Sequence, residues 1–231
     1  IFISTSAFSQ NVANWMSQRE LMGTLQIKYK NGTASAFQYK GVDSSSYLIT
    51  AKHVFQTKYK RVLANSKAIR YNFYDSLPYK NGDKVDVKIF YGGQWHNIDA
   101  YIYYDNAGSD VAVLKTDIPM VGNSYIFGAD QSYESQDCFF IGYPLGLRQD
   151  MSRVSGFSPY PIPFVRKGII SALGENKGGV ISLFYIDAHV TYGFSGGPLI
   201  YYNYAKKAYY VAGVVSGYIP QQNVIYKSDG T

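Results

Sequence analysis

Cysteine is almost missing from this chain. Cys138 stands alone among 231 residues, so no intrachain disulfide can form. It lies in Asp137-Cys138-Phe139-Phe140-Ile141, an apolar strand-like run in which a small buried residue is expected rather than a reactive thiol. Histidine is scarce too, with three residues, His53, His96 and His189. No stretch approaches the roughly 18 apolar residues of a membrane-spanning helix, which excludes stable insertion of that kind. Metal-ligand spacings, phosphate loops and cofactor fingerprints are missing, so no metal and no cofactor are expected. No repeat and no low-complexity tract is visible.

Charge of one sign is only mildly in excess, at +6. The densest basic cluster is Lys58, Lys60 and Arg61, followed by Lys67 and Arg70, which reads as a solvated loop. Nucleic-acid binding would need basic residues gathered on one face, with stacking aromatics for single strands. The aromatics here alternate as strand residues do, and nucleic acid is not an expected partner.

What is abundant is tyrosine, phenylalanine and glycine, with 24, 13 and 22 residues. Together with short runs of period two, they predict an all-β fold. Strands are expected over Thr24–Tyr29, Ala34–Tyr39, Tyr47–Thr50, Lys84–Tyr91, Trp95–Tyr104 and Asp110–Lys115. A second set covers Asp137–Ile141, Gly168–Leu173, Val180–Ile186, Pro198–Tyr202 and Tyr209–Ser216. Asn31-Gly32, Asn81-Gly82 and Gly92-Gly93 mark turns. Asn11 to Leu21 has the spacing of a short helix. Arg148 to Arg166, with Pro159, Pro161 and Pro163, is the one long irregular segment.

The most informative stretch is Gly193-Phe194-Ser195-Gly196-Gly197-Pro198. A serine hydroxyl needs a base to take its proton and donors to hold the developing oxyanion. Glycines around it allow a tight turn that aims N–H groups at one point. Upstream, Tyr47-Leu48-Ile49-Thr50-Ala51-Lys52-His53 ends an apolar run on a histidine. Ser109-Asp110-Val111-Ala112-Val113-Leu114 sets an aspartate at the mouth of another. The order His53, Asp110, Ser195 is that of the chymotrypsin-like arrangement and not of subtilisins or α/β-hydrolases.

On these motifs the chain resembles the trypsin-like serine peptidases, nearer the bacterial HtrA-type branch, without a PDZ module, than the disulfide-bonded digestive enzymes. Supporting pieces are Ile141-Gly142-Tyr143-Pro144-Leu145-Gly146, Lys167-Gly168-Ile169-Ile170-Ser171-Ala172-Leu173 and Asp187-Ala188. The resemblance spans roughly residues 33 to 218. It implies two antiparallel β-barrels with the active site in the cleft between them, the halves being 10–125 and 126–231.

It further implies a serine endopeptidase acting on protein or peptide substrates through an acyl-enzyme. Ser195 would be the nucleophile, His53 the base and Asp110 its orienting partner. The backbone N–H groups of Gly193 and Ser195 would form the oxyanion hole. Substrate-binding positions would be His189, Tyr192, Val215, Ser216, Gly217 and Tyr218, with substrate pairing along Gly213–Tyr218. The resemblance sets Val215 where glutamate-specific relatives carry a histidine, and valine offers no donor to a buried carboxylate. Cleavage is therefore expected after medium-sized apolar or uncharged residues rather than glutamate, the alternative being a donor from His189 on the other wall.

Two rivals use the same fold, a catalytically inactive binding module and an esterase or acyl-transferase. Residues 1–9 resemble the tail of a secretory signal, with Ala7 and Ser9 spaced as before a cleavage site, so export to the periplasm or medium is expected. Val224-Ile225-Tyr226 has the look of a further strand's beginning.

Overall fold

The computed structural model describes residues 16, 21–56, 58–61, 71–74, 77–105, 109–119, 125–129, 132–149, 160–175 and 181–217. The signal-like segment, most of Asn11–Leu21, residues 150–159, Tyr218 and Val224–Tyr226 lie outside them.

Strands β1 (Thr24–Tyr29), β2 (Gly32–Lys40) and β3 (Ser46–Ala51) form an antiparallel meander. After the ribbon β4 (Lys58–Arg61) and β5 (Tyr71–Tyr74) come β6 (Lys84–Tyr91), β7 (Gln94–Tyr104) and β8 (Val111–Thr116). Six of these close a barrel in the order β1-β2-β3-β8-β7-β6. In β6, Val85, Val87 and Ile89 are buried while the alternate Lys84, Asp86 and Lys88 face out, as a pleated strand with one covered face requires. Closure removes the edges that an open antiparallel sheet would leave.

The second half comprises β9 (Ile126–Phe127), β10 (Asp137–Gly142), β11 (Phe164–Glu175), β12 (Ile181–Asp187), β13 (Pro198–Asn203) and β14 (Ala208–Val214). Its order is β12-β11-β10-β13-β14-β9, a six-stranded sheet whose last pair, β14 with β9, is parallel. A closed barrel and this second sheet are consistent with the two-barrel chymotrypsin-like fold. Phe37 and Ile49 of the first half share one apolar cluster with Ile141, Ile200 and Val211 of the second. That shared core fixes the two halves against each other. Cys138 is fully buried, and desolvation pushes its thiol up to about 12.

Two expectations about local structure need correction. Lys58–Arg61 is a strand paired with Tyr71–Tyr74, not a loop. The tail of the Pro-rich segment, Phe164 to Arg166, already belongs to β11 and pairs with β10. Proline is tolerated just before a strand's first residue, so Pro161 and Pro163 bound the strand rather than exclude it.

Candidate active site

His53 sits in a single 3-10 turn, Lys52–Phe55, directly after β3. Phe55 is fully buried in the first barrel's core and anchors that turn. Asp110 is the residue before β8, the strand paired with β3. The end of that ladder therefore delivers both side chains to one place. The Nδ1 atom of His53 lies 2.6 Å from Oδ2 of Asp110. The backbone N–H of His53 donates to Oδ1 at 2.8 Å, and that of Lys52 to the Asp110 carbonyl at 3.1 Å. The hydroxyl of Ser216 donates a short hydrogen bond to the same Oδ2.

Burial alone would raise the Asp110 pKa. The hydrogen bond and charge of the His53 ring, the Ser216 hydroxyl and the His53 amide outweigh it, and the carboxyl is held below its ordinary value. A carboxylate bonded to Nδ1 of a neutral imidazole takes the N–H there and leaves Nε2 as the acceptor, the form a general base needs.

Ser195 lies in the turn between β12 and β13. Its carbonyl accepts the N–H of Ser35 in β2 at 2.9 Å. Gly196 donates to Val215 at 2.7 Å, and Val215 donates to Gly197 at 2.8 Å. The turn bearing Ser195 is thus tied to the first barrel on one side. On the other it is tied to the segment whose next residue, Ser216, holds Asp110.

The glycines are required here. Gly193 has φ of 99° and Gly196 of 85°. A Cβ on Gly193 would collide with Tyr143 O, and one on Gly196 with Ser35 O and Thr50 Oγ1. Among the described residues, the N–H groups of Gly193 and Ser195 have no protein acceptor. The carbonyl of Tyr192 accepts the N–H of Leu145 at 2.6 Å. In a trans peptide the C=O and N–H point in opposite directions, so this bond also orients the Gly193 N–H. Phe194 is fully buried, with its ring 5.0 Å from that of Phe140.

The remaining sequence-expected positions scatter around this centre. Tyr192 and Gly217 are exposed, and Val215 is half-buried against the Cys138, Phe140 and Phe194 cluster. Both backbone polar groups of Val215 are taken by Gly196 and Gly197. Within this segment the main chain of Ser216 and Gly217 has no protein partner among the described residues. His189 is exposed, two residues beyond the end of β12. His96 is in β7, and its Nε2 lies 3.1 Å from the Tyr91 carbonyl. Asp187 is an exposed strand-end carboxylate.

Sequence reasoning missed the Ser216 bond to Asp110 and the part played by Ser35. Both hydroxyls meet partners more than a hundred residues away, at separations of 106 and 158. Ser35 does not stand out locally, because its strand also carries Thr33, Gln38 and Lys40.

Among solved structures the chain is similar to that of Deg5, at 19% identity and a TM-score of 0.52, covering 87% of this chain and 81% of that one. It is also similar to the Rv3671c protease from M. tuberculosis H37Rv in an inactive form, at 17% identity and TM-score 0.49, covering 94% and 83%. A third similarity is to the HtrA-type protease AlgW with a tripeptide, at 21% and 0.48, covering 93% and 56%. No curated protein sequence matches the chain significantly. Among the described residues, no helix is long and apolar enough to cross a membrane. The trypsin-like peptidase domain model matches residues 34–204, a span that contains His53, Asp110 and the glycine-flanked Ser195, and the chain belongs to that family.

Proposed function

We propose that the protein is a serine endopeptidase of the HtrA-like type. The observation that carries this reading is the His53–Asp110 pair, 2.6 Å apart, with its carboxylate held by Ser216 beside the glycine-built turn of Ser195. Ser195 Oγ attacks the scissile carbonyl while Nε2 of His53 takes the hydroxyl proton. His53 then gives that proton to the leaving amine. Water, deprotonated by His53, attacks the acyl-enzyme and releases the second product. Asp110 holds the imidazole in the correct tautomer and stabilises the imidazolium. The unengaged N–H groups of Gly193 and Ser195 support an oxyanion hole at those two donors.

An extended substrate would lie along Ser216 and Gly217, whose main chain is open, adding itself by backbone hydrogen bonds. Tyr192 and the half-buried Val215 side chain would flank the residue before the cut. An apolar wall at Val215 disfavours glutamate there, because a carboxylate in that pocket would lack a donor on this side. His189 would have to supply one from the opposite wall.

The test is hydrolysis of a denatured protein mixture with the cleavage sites sequenced, in the wild type and in Ser195→Ala. Cutting by the wild type alone, after apolar or uncharged residues, is the expected result. Equal cutting by both proteins would reject the serine mechanism, and dominant cutting after glutamate would reject the reading of Val215.

A further inference from the structure

Ser35 is fully buried in β2, and both its N–H and its hydroxyl bond the loop that carries Ser195. Its N–H donates to Ser195 O at 2.9 Å. Its hydroxyl donates to Gly193 O at 2.7 Å and accepts the N–H of Tyr143 at 3.0 Å. Its carbonyl accepts the hydroxyl of Thr50, itself fully buried, at 2.7 Å.

Two of these contacts bracket one peptide group without touching it: the bond to Gly193 O lies just after it in the chain, and the bond from Tyr143 N–H lies just before the turn that holds it. The 192–193 peptide carries the Gly193 N–H, and its carbonyl is held from one side by Leu145 N–H. Leu145 belongs to the short turn Pro144–Gly146, which starts immediately after Tyr143. One hydroxyl therefore grips the entrance of the turn that orients this peptide and also the carbonyl of Gly193 that follows it. Glycine at 193 has no side chain to hold it in place, and its φ of 99° lies where the backbone has few local preferences to fix direction. The constraint has to come from outside the loop.

We propose that Ser35 is a positioning residue for the oxyanion hole, its buried hydroxyl fixing the direction in which the Gly193 N–H points. This rests on the serine-peptidase reading above. Ser35 touches neither substrate nor the reacting atoms; it acts through Gly193 and the Tyr143–Leu145 turn. Ser35→Ala leaves Gly193 O and Tyr143 N–H without their partner in a site closed to water. Those groups then seek other bonds, and the loop between them loses its single orientation. An oxyanion donor is useful only if it is aimed before the reaction begins. The loss should therefore fall on the transition state and spare the bound substrate.

The experiment measures kcat and KM on a peptide p-nitroanilide taken from a mapped cleavage site, with phenylboronic acid as the tetrahedral mimic. Proteins are the wild type, Ser35→Ala, Ser35→Thr and Ser35→Cys, each checked by circular dichroism. For Ser35→Ala we expect kcat to fall about thirtyfold with KM within about twofold, and phenylboronic acid to bind more weakly in parallel. Ser35→Thr, which keeps the hydroxyl, should recover most of the loss. If Ser35→Ala does not fold, Ser35→Cys keeps the volume with a weak donor and should show the same pattern at smaller size. Wild-type kcat in either folded variant overturns the proposal, as does a loss that appears equally in KM or that threonine fails to recover. A wild type that turns over no substrate and takes no serine-directed label overturns both this proposal and the reading it rests on. An active wild type beside an equally active Ser35→Ala overturns this one alone.

Discussion

His53 and the carboxylate of Asp110 meet twice, the imidazole Nδ1 at 2.6 Å from Oδ2 and the backbone N–H donating to Oδ1 at 2.8 Å. A two-point contact fixes the ring's position as well as its tautomer. A carboxamide in place of the carboxylate would offer an N–H toward Nδ1 and favour the tautomer with its proton on Nε2. Asp110→Asn should therefore keep its fold by circular dichroism and lose roughly ten-thousandfold in single-turnover ester hydrolysis. An active Asp110→Asn protein would contradict the assigned role.

Because the folded environment holds Asp110 below its ordinary value, its ionised form favours the native state. The sign follows directly. The contribution is complete above the unfolded carboxyl's value of about 3.9 and disappears as pH falls through the lower folded value. Ser216→Ala removes one donor, so it should bring the folded value back toward the ordinary one and shrink this contribution. Urea unfolding of both proteins near neutral pH and at about pH 3 would check it, the stability gap being larger at the higher pH. A gap that widens on acidification would contradict the direction of the shift.

The residues of the proposed triad were legible because each is attached to a strong local pattern. His53 ends an apolar strand, Asp110 begins one, and Ser195 sits among glycines that only a tight turn explains. Their supports were not legible. Ser35 and Ser216 act through bonds to Gly193 and Asp110 that exist only once the two halves have docked, and nothing within a few residues of either announces them. The two misjudged elements failed locally. Lys58, Lys60 and Arg61 drew attention as charge, which hid the alternation with Tyr59 that suits a ribbon. The prolines at 161 and 163 drew attention as breakers, although a strand begins at Phe164.

Phe194, directly before Ser195, fills a fully buried apolar site against Phe140. Phe194→Asp should destabilise the protein by ~3 kcal/mol or more, as an unpaired carboxylate in an apolar cluster does. Chemical denaturation would measure it. A Phe194→Asp protein as stable as the wild type would show that the carboxylate finds a partner.

Gly193 has both a positive φ and no room for a Cβ against Tyr143 and Leu145. Gly193→Ala should cost roughly 2–4 kcal/mol in stability and displace the N–H assigned to the proposed oxyanion hole. Gly217, with open space around its Cβ position, should accept alanine with stability changed by less than ~1 kcal/mol. Thermal unfolding of the pair would separate a steric requirement from a general cost of replacing glycine.

The central claim is that Ser195 is a nucleophile activated by His53, and a fluorophosphonate probe tests it most directly because it modifies only an activated serine. Peptide mapping of the labelled wild type should find the adduct on Ser195 and nowhere else, with labelling abolished in Ser195→Ala and reduced by orders of magnitude in His53→Ala. An unlabelled wild type, or labelling of Ser195 that persists at full rate in His53→Ala, would contradict it.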